Sequence, residues 1–274
     1  MPVIPLRESN LKIFDPHMRS RTQSGDDLKN LHYFGTTEVV TTAHGGQGFE
    51  RAEDLLEYFD LLTGEESRRL QKCGLIPHVA VGVVPDARPR RAHYEIWKAL
   101  PEILQRPIVV AIGEVGVWED NDEQWDLFER QVRIGLKLDS MPMIVTPPKE
   151  LKITLTYKMM KRLEKWGYPP SRILINYCDE RLLENVIQSG FYAGYPVGAA
   201  SNDPRDAGPF IAEIIDRVGG AEQILLTAAL RSGGGDVLGI PKTIVALREV
   251  GVEDTSIENM VYANAGRLFG LSGT

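Results

Sequence analysis

The chain has 274 residues, of which 43% are hydrophobic and 25% charged, enough to bury a full core and too apolar for a disordered chain. Its net charge of −7 argues against a non-specific grip on nucleic acid, which is built from a surplus of Lys and Arg. No apolar stretch reaches the roughly 18 residues that span a bilayer, and residues 1–10 have no apolar signal-peptide core. With Cys73 and Cys178 far apart and in no CxxC pair, neither a disulfide framework nor a zinc ribbon is indicated, and the cytoplasm is the expected compartment.

In chain order, short apolar runs over 12–17, 38–43, 76–83, 108–115, 143–146, 173–178, 192–197 and 224–229 predict strands. Most are continuous Val, Ile, Leu and Ala runs, as expected of strands covered on both faces of a parallel sheet. Helical spacing predicts helices over 26–33, 49–62, 64–72, 91–104, 122–138, 154–165, 180–188, 205–218 and 241–250. In 122–138, for example, Trp125, Phe128, Val132 and Gly135 or Leu136 recur at intervals of three and four. A further C-terminal helix over 256–269 is predicted to open on Thr255 and Glu258 in capping-box spacing. Strands alternating with helices, without a linker or a composition break, predict an α/β fold: a single (β/α)8 TIM barrel spanning 1–274, with 1–10 as an N-terminal extension. An open doubly wound sheet is the alternative.

Barrel chemistry sits where strands end at the C-terminal face. Strand 1 delivers Asp15, His17 and Arg19 there, strand 2 His44, strand 3 Asp86, and strand 4 Glu114. Strand 5 delivers Thr146 and Lys149, strand 6 Asn176, Tyr177 and Cys178, strand 7 Asp203 and Arg205, and strand 8 Leu230, Arg231 and Asp236.

Four motifs in order resemble the TatD-related metal-dependent hydrolases of the amidohydrolase superfamily. They are Ile13-Phe14-Asp15-Pro16-His17, Gly113-Glu114-Val115-Gly116, Gly190-Phe191-Tyr192-Ala193-Gly194 and Asn264-Ala265-Gly266-Arg267-Leu268-Phe269-Gly270, and together they cover nearly the whole chain. The resemblance implies a barrel that binds one or two divalent metals and hydrolyses an ester, amide or phosphodiester, nuclease activity being the familiar example. The implied ligands are an HxH after strand 1, a Glu after strand 4, a His after each of strands 5 and 6, and an Asp after strand 8. Here His17 and Glu114 match, but Arg19, Thr146, Tyr177 and Leu230 stand at the other positions, and no His follows His93. A site with two sure ligands falls short of the three that zinc catalysis normally uses.

Three readings follow for a chain with no cofactor or with one divalent metal ion. In the first, the metal centre is impaired or absent, and Arg19, Lys149, Arg205 and Arg231, with Asp236, line a mouth that takes a small anionic molecule, phosphate or carboxylate. Against it stands pairing of these bases with local acids such as Asp15, Glu114, Asp203 and Asp236. In the second, His17 and Glu114 recruit His44, Asp203, Asp236 or Cys178 into a rebuilt hydrolase site, with Glu114 and Tyr177 the candidate catalytic residues and Tyr177 a general acid or oxyanion donor. Tyr177 also reads as an aromatic that fills the space left by a smaller ligand. In the third, the chain is a non-catalytic scaffold or partner subunit. Cys178, flanked by acids, reads as structural; Trp118 reads as packing or as lining the mouth.

Overall fold

A computed structural model describes residues 11–43, 48–89, 94–198, 202–228, 230 and 235–271. Eight parallel strands follow one another around the sheet in sequence order: β1 (Ile13–Met18), β2 (Thr36–Thr42), β3 (Ile76–Val81), β4 (Val109–Val115), β5 (Met143–Val145), β6 (Ile173–Ile175), β7 (Tyr192–Pro196) and β8 (Ile224–Thr227). This is the (β/α)8 barrel expected from the alternation of strands and helices. Its β8–β1 seam is bridged by Thr227 Oγ1 donating to the His17 carbonyl at 3.1 Å and by the Ala228 N–H donating to Asp15 Oδ2 at 3.3 Å. The Arg19 N–H donates to the Leu230 carbonyl at 3.2 Å just beyond.

Strand alternation divides the core in two. Phe14, Val40, Ala80, Ala111, Ile144, Leu174, Tyr192 and Leu225 fill the lumen, while Ile13, Val39, Val79, Ile112, Val145 and Ile175 pack outward under the helices. With both faces buried, the strands read as unbroken apolar runs.

The helices are α1 (Gly25–Tyr33), α2 (Ala52–Leu61), α3 (Ser67–Lys72), α4 (Tyr94–Leu104), α5 (Asp122–Lys137), α6 (Lys152–Lys165), α7 (Leu183–Gln188), α8 (Pro204–Val218), α9 (Gly239–Glu249), α10 (Asp254–Glu258) and α11 (Asn264–Phe269). The break expected between 62 and 64 is instead a π-turn, Leu62–Glu66, that joins α2 to α3 without a loop. Thr63 and Ser67 hydroxyls donate back to the Phe59 and Leu62 carbonyls, which lets the chain continue through Gly64. The final helix begins at Asp254, with Glu253 at its N-cap and no side-chain cap, so Thr255 lies inside the first turn and does not form the expected capping box.

The far end of the barrel is closed by this C-terminal segment. Ala265, Leu268 and Phe269 of α11 join the lumen cluster, and Asn264 Nδ2 donates to the Ala221 and Ile224 carbonyls, each at 2.7 Å. Glu38 lies between two partners there: Tyr262 donates to it at 2.6 Å, and His78 Nε2 lies 2.9 Å away. Among the described residues no helix is long and apolar enough to cross a membrane.

Candidate active site at the barrel mouth

At the C-terminal end, alternation carries the lumen positions from apolar to polar residues. Two residues past Val40 stands Thr42, two past Ile144 stands Thr146, two past Leu174 stands Asn176, and two past Leu225 stands Thr227, all buried. His17 at the end of β1 and Glu114 on β4 are fully buried in the same layer.

Glu114 is the hub. Arg19 grips it with both prongs of its fork, Nε to Oε1 and Nη2 to Oε2, each at 3.1 Å, and the Thr42 hydroxyl donates to Oε1 at 3.1 Å. His17 Nε2 also lies 3.1 Å from Oε1, but out of line for a hydrogen bond. Burial would push the Glu114 carboxyl up, yet the facing His17 ring and the Arg19 guanidinium outweigh it and hold the group well below the usual carboxylate range. The peptide bond before Glu114 is cis.

The loop that delivers Arg19 is itself pinned. Ser20 Oγ lies 2.6 Å from Thr41 Oγ1, and the Ser20 carbonyl accepts from Arg69 Nη2 at 2.8 Å. Arg69 is anchored by buried Glu66 at 2.7 Å, so α3 fixes where Arg19 leaves the strand.

Two further acids border the hub. Asp15 accepts from the His17 N–H at 3.1 Å and from the Ala228 N–H; burial pushes its pKa up to about 6 despite these bonds and the nearby His17. Asp86 is raised by burial, with Arg19 pulling it down and the Glu114 charge pushing it up. The half-buried Tyr177 adopts a left-handed backbone (φ 54°) and meets the His17 ring edge-on, centroids 5.3 Å apart. Lys152 Nζ donates to the Tyr177 carbonyl at 3.0 Å and holds that turn. Trp118 is oriented through its main chain, whose N–H donates to Gln124 Oε1 at 2.6 Å.

Of the residues singled out from sequence, His17, Arg19, Glu114 and Tyr177 therefore meet. The expected convergence of basic residues does not form among the described residues. Arg205 is exposed and paired with its neighbour Asp203, at 3.0 Å, where Asp203 caps α8. Lys149 is exposed, and Asp236 accepts from the Leu238 N–H and from Lys242 Nζ at 2.6 Å at the start of α9. The reason is local for two of them: Arg205 and Asp236 have helix-terminal partners within a few residues. Arg231 and His44 lie outside the described residues. Cys178 is buried, its Sγ donating to the Ile175 carbonyl at 3.2 Å, and burial pushes its thiol far above the range of a reactive cysteine. The described residues contain no group of three or more His, Cys, Asp or Glu side chains placed to hold a metal. Thr42 was not singled out from sequence, although the two-residue step from Val40 was a readable signal for it; Asp86 and Asn176 were placed at strand ends but given no role.

No protein-family model matches the chain. It is 27% identical over 253 residues to a Methanocaldococcus jannaschii protein named as an uncharacterized metal-dependent hydrolase, covering 92% of this chain and 98% of that one. Among solved structures, the TatD-like protein of Archaeoglobus fulgidus superposes with a TM-score of 0.74 at 24% identity, over 94% of this chain and 99% of the other. A TatD homologue from Escherichia coli K12 gives a TM-score of 0.67 at 19% identity, over 95% and 99% of the two chains. The chain is thus similar along nearly its whole length to a protein named as a metal-dependent hydrolase, and it shares its barrel with TatD-like structures.

Proposed function

We propose that this chain is a divergent TatD-like hydrolase homologue in which the Arg19–Glu114 ion pair has taken the place of the metal centre, leaving the mouth of a single cytoplasmic barrel domain as a binding site for a small molecule. The observation that carries the reading is the bidentate grip of Arg19 on both oxygens of Glu114, the one carboxylate that matches the family ligand set. A fixed guanidinium repels a cation by about 4 kcal/mol per unit charge at 4 Å and an effective dielectric of 20. A divalent ion at Glu114 would meet that repulsion and lose the carboxylate as well. Thr146 and Asn176 are neutral, and Leu230 offers no donor atom in its side chain. The residues present do not fit the metal.

What the mouth retains is a means of holding a ligand. Arg19 keeps Nη1 uncommitted among the described residues, and that edge is where the small anion expected from sequence would bind. Metal analysis of protein purified without chelator tests the reading: the expected content is far below one equivalent. A stoichiometric divalent ion would overturn it in favour of a working hydrolase rebuilt around His17 and Glu114. For the anion expected from sequence, the measurement is the melting temperature with and without phosphate: a saturable rise supports it and no rise dismisses it.

A further inference from the structure

Among the described residues, every buried side-chain nitrogen or oxygen that lacks a hydrogen-bond partner belongs to one of four residues: His17, Trp118, Thr146 and Asn176. All four follow or end barrel strands at the C-terminal face, and the strand step from Ile144 and Leu174 aims Thr146 and Asn176 into the lumen. Both side-chain atoms of Asn176 are unpaired, and its residue surface is wholly buried. Glycines let this layer close up. A methyl group on Gly194 would stand 2.6 Å from Asn176 Oδ1, and one on Gly116 would stand 2.5 Å from the Thr146 carbonyl oxygen and 3.5 Å from Trp118 Nε1.

Folded proteins leave few buried polar groups unpaired, because each one forfeits its hydration without replacement. Four such residues at one end of one barrel are a concentration that packing alone does not require. Their chemistry is mixed. The Trp118 indole only donates, the Thr146 hydroxyl and the Asn176 amide both donate and accept, and a neutral His17 ring would offer one of each. Their electrostatic setting is balanced, since the Arg19 charge is spent on Glu114, and Asp86 is a further acid facing Arg19. A buried anion would therefore find no uncompensated cation among the described residues, whereas an uncharged donor–acceptor molecule would satisfy the orphaned atoms without adding charge.

We infer that the mouth binds a small uncharged molecule bearing hydroxyl or amide groups, held by Trp118, Thr146 and Asn176 on the β4–β6 side of the Arg19–Glu114 pair. The inference rests on the metal-free reading of the mouth and replaces the anion within it.

The test uses the full chain and probes matched in shape but not in charge: glycolamide against glycolate and lactamide against lactate, with inorganic phosphate alongside. The uncharged members are expected to give a saturable rise in melting temperature that their carboxylates do not. Thr146→Val, which removes a hydroxyl at nearly constant shape, and Trp118→Phe, which removes the indole N–H along with part of the ring, are expected to weaken that binding at least about tenfold for the pair, equivalent to about 1.4 kcal/mol. Ligand-free melting curves of both variants report separately on folding. A shift with the carboxylates or phosphate alone, no shift with any probe, or equal binding by folded variants would each overturn the inference. A crystal structure with ordered water on all four residues in the presence of saturating lactamide would do the same. Metal content measured on the same preparations separates the two claims: a stoichiometric ion defeats the metal-free reading, whereas metal-free protein indifferent to the amides defeats only this one.

Discussion

The two ends of the barrel treat buried polar groups in opposite ways. At the closed end, Glu38 has Tyr262 and His78 as partners and Asn264 is bonded to two carbonyls. At the open end, His17, Trp118, Thr146 and Asn176 carry polar atoms without a hydrogen-bond partner among the described residues. Full pairing is what a structural plug needs, because it sets a unique fit at no desolvation loss. Unpaired groups in a layer of the same depth point to a surface kept for something else. Both ends place a carboxylate among bases or hydroxyls, so the distinction lies in who is left without a partner, and not in residue type.

The contrast can be broken most forcefully at Glu114. Replacing it by Gln leaves Arg19 without its anion beside buried His17, and urea denaturation is expected to show a loss of about 3–5 kcal/mol, the usual range for breaking one side of a buried pair. A loss under 1 kcal/mol would mean that the ion pair is not what holds the mouth.

Asp15 gives the next largest effect and a signature in pH. Its pKa is raised to about 6 from an ordinary 3.8, so the fold prefers the protonated form. That contribution is fully present below about pH 3.8 and is lost as pH rises through 6, by about 3 kcal/mol in all. Glu114 has the opposite sign: its stabilisation is present above its ordinary pKa of 4.5 and is lost as pH falls below it. Stability curves of wild type and Asp15→Asn between pH 4 and 7 are expected to diverge, the variant losing the decline toward pH 7. Parallel curves would remove Asp15 as its source.

At the closed end, Tyr262→Phe removes one bond to Glu38 and is expected to cost about 1 kcal/mol, the ordinary worth of a hydrogen bond whose partner retains a second contact. The smallest effect sharpens the comparison by its sign. Thr146→Val at the open end removes an unpaired hydroxyl and is expected to leave ligand-free stability unchanged or raise it by up to about 1 kcal/mol. A loss as large as that of Tyr262→Phe would show that Thr146 has a structural partner and would erase the difference between the ends.

Much of this molecule was legible in its residues. The unbroken apolar runs declared strands buried on both faces, and their alternation with helices declared the barrel, because periodicity and burial are local consequences of composition. His17, Arg19 and Glu114 could be placed at strand ends, and the absence of any His after His93 was readable without coordinates. Three-dimensional contacts decided the rest. That Arg19 clasps Glu114, while Arg205 and Asp236 turn to Asp203 and Lys242, depends on which partner lies nearest in space. Linear spacing encodes nothing of the first pair, whose members are 95 residues apart, whereas the other two partners are near neighbours in sequence. The π-turn through Gly64 and the uncapped start of α10 arose the same way, from hydroxyl back-bonds and packing that outweigh local helix signals. Whether a buried polar atom is paired or orphaned is a property of the whole assembled layer, so a sequence can name Asn176 and Thr146 but only the closed barrel reveals that they have no hydrogen-bond partner among the described residues.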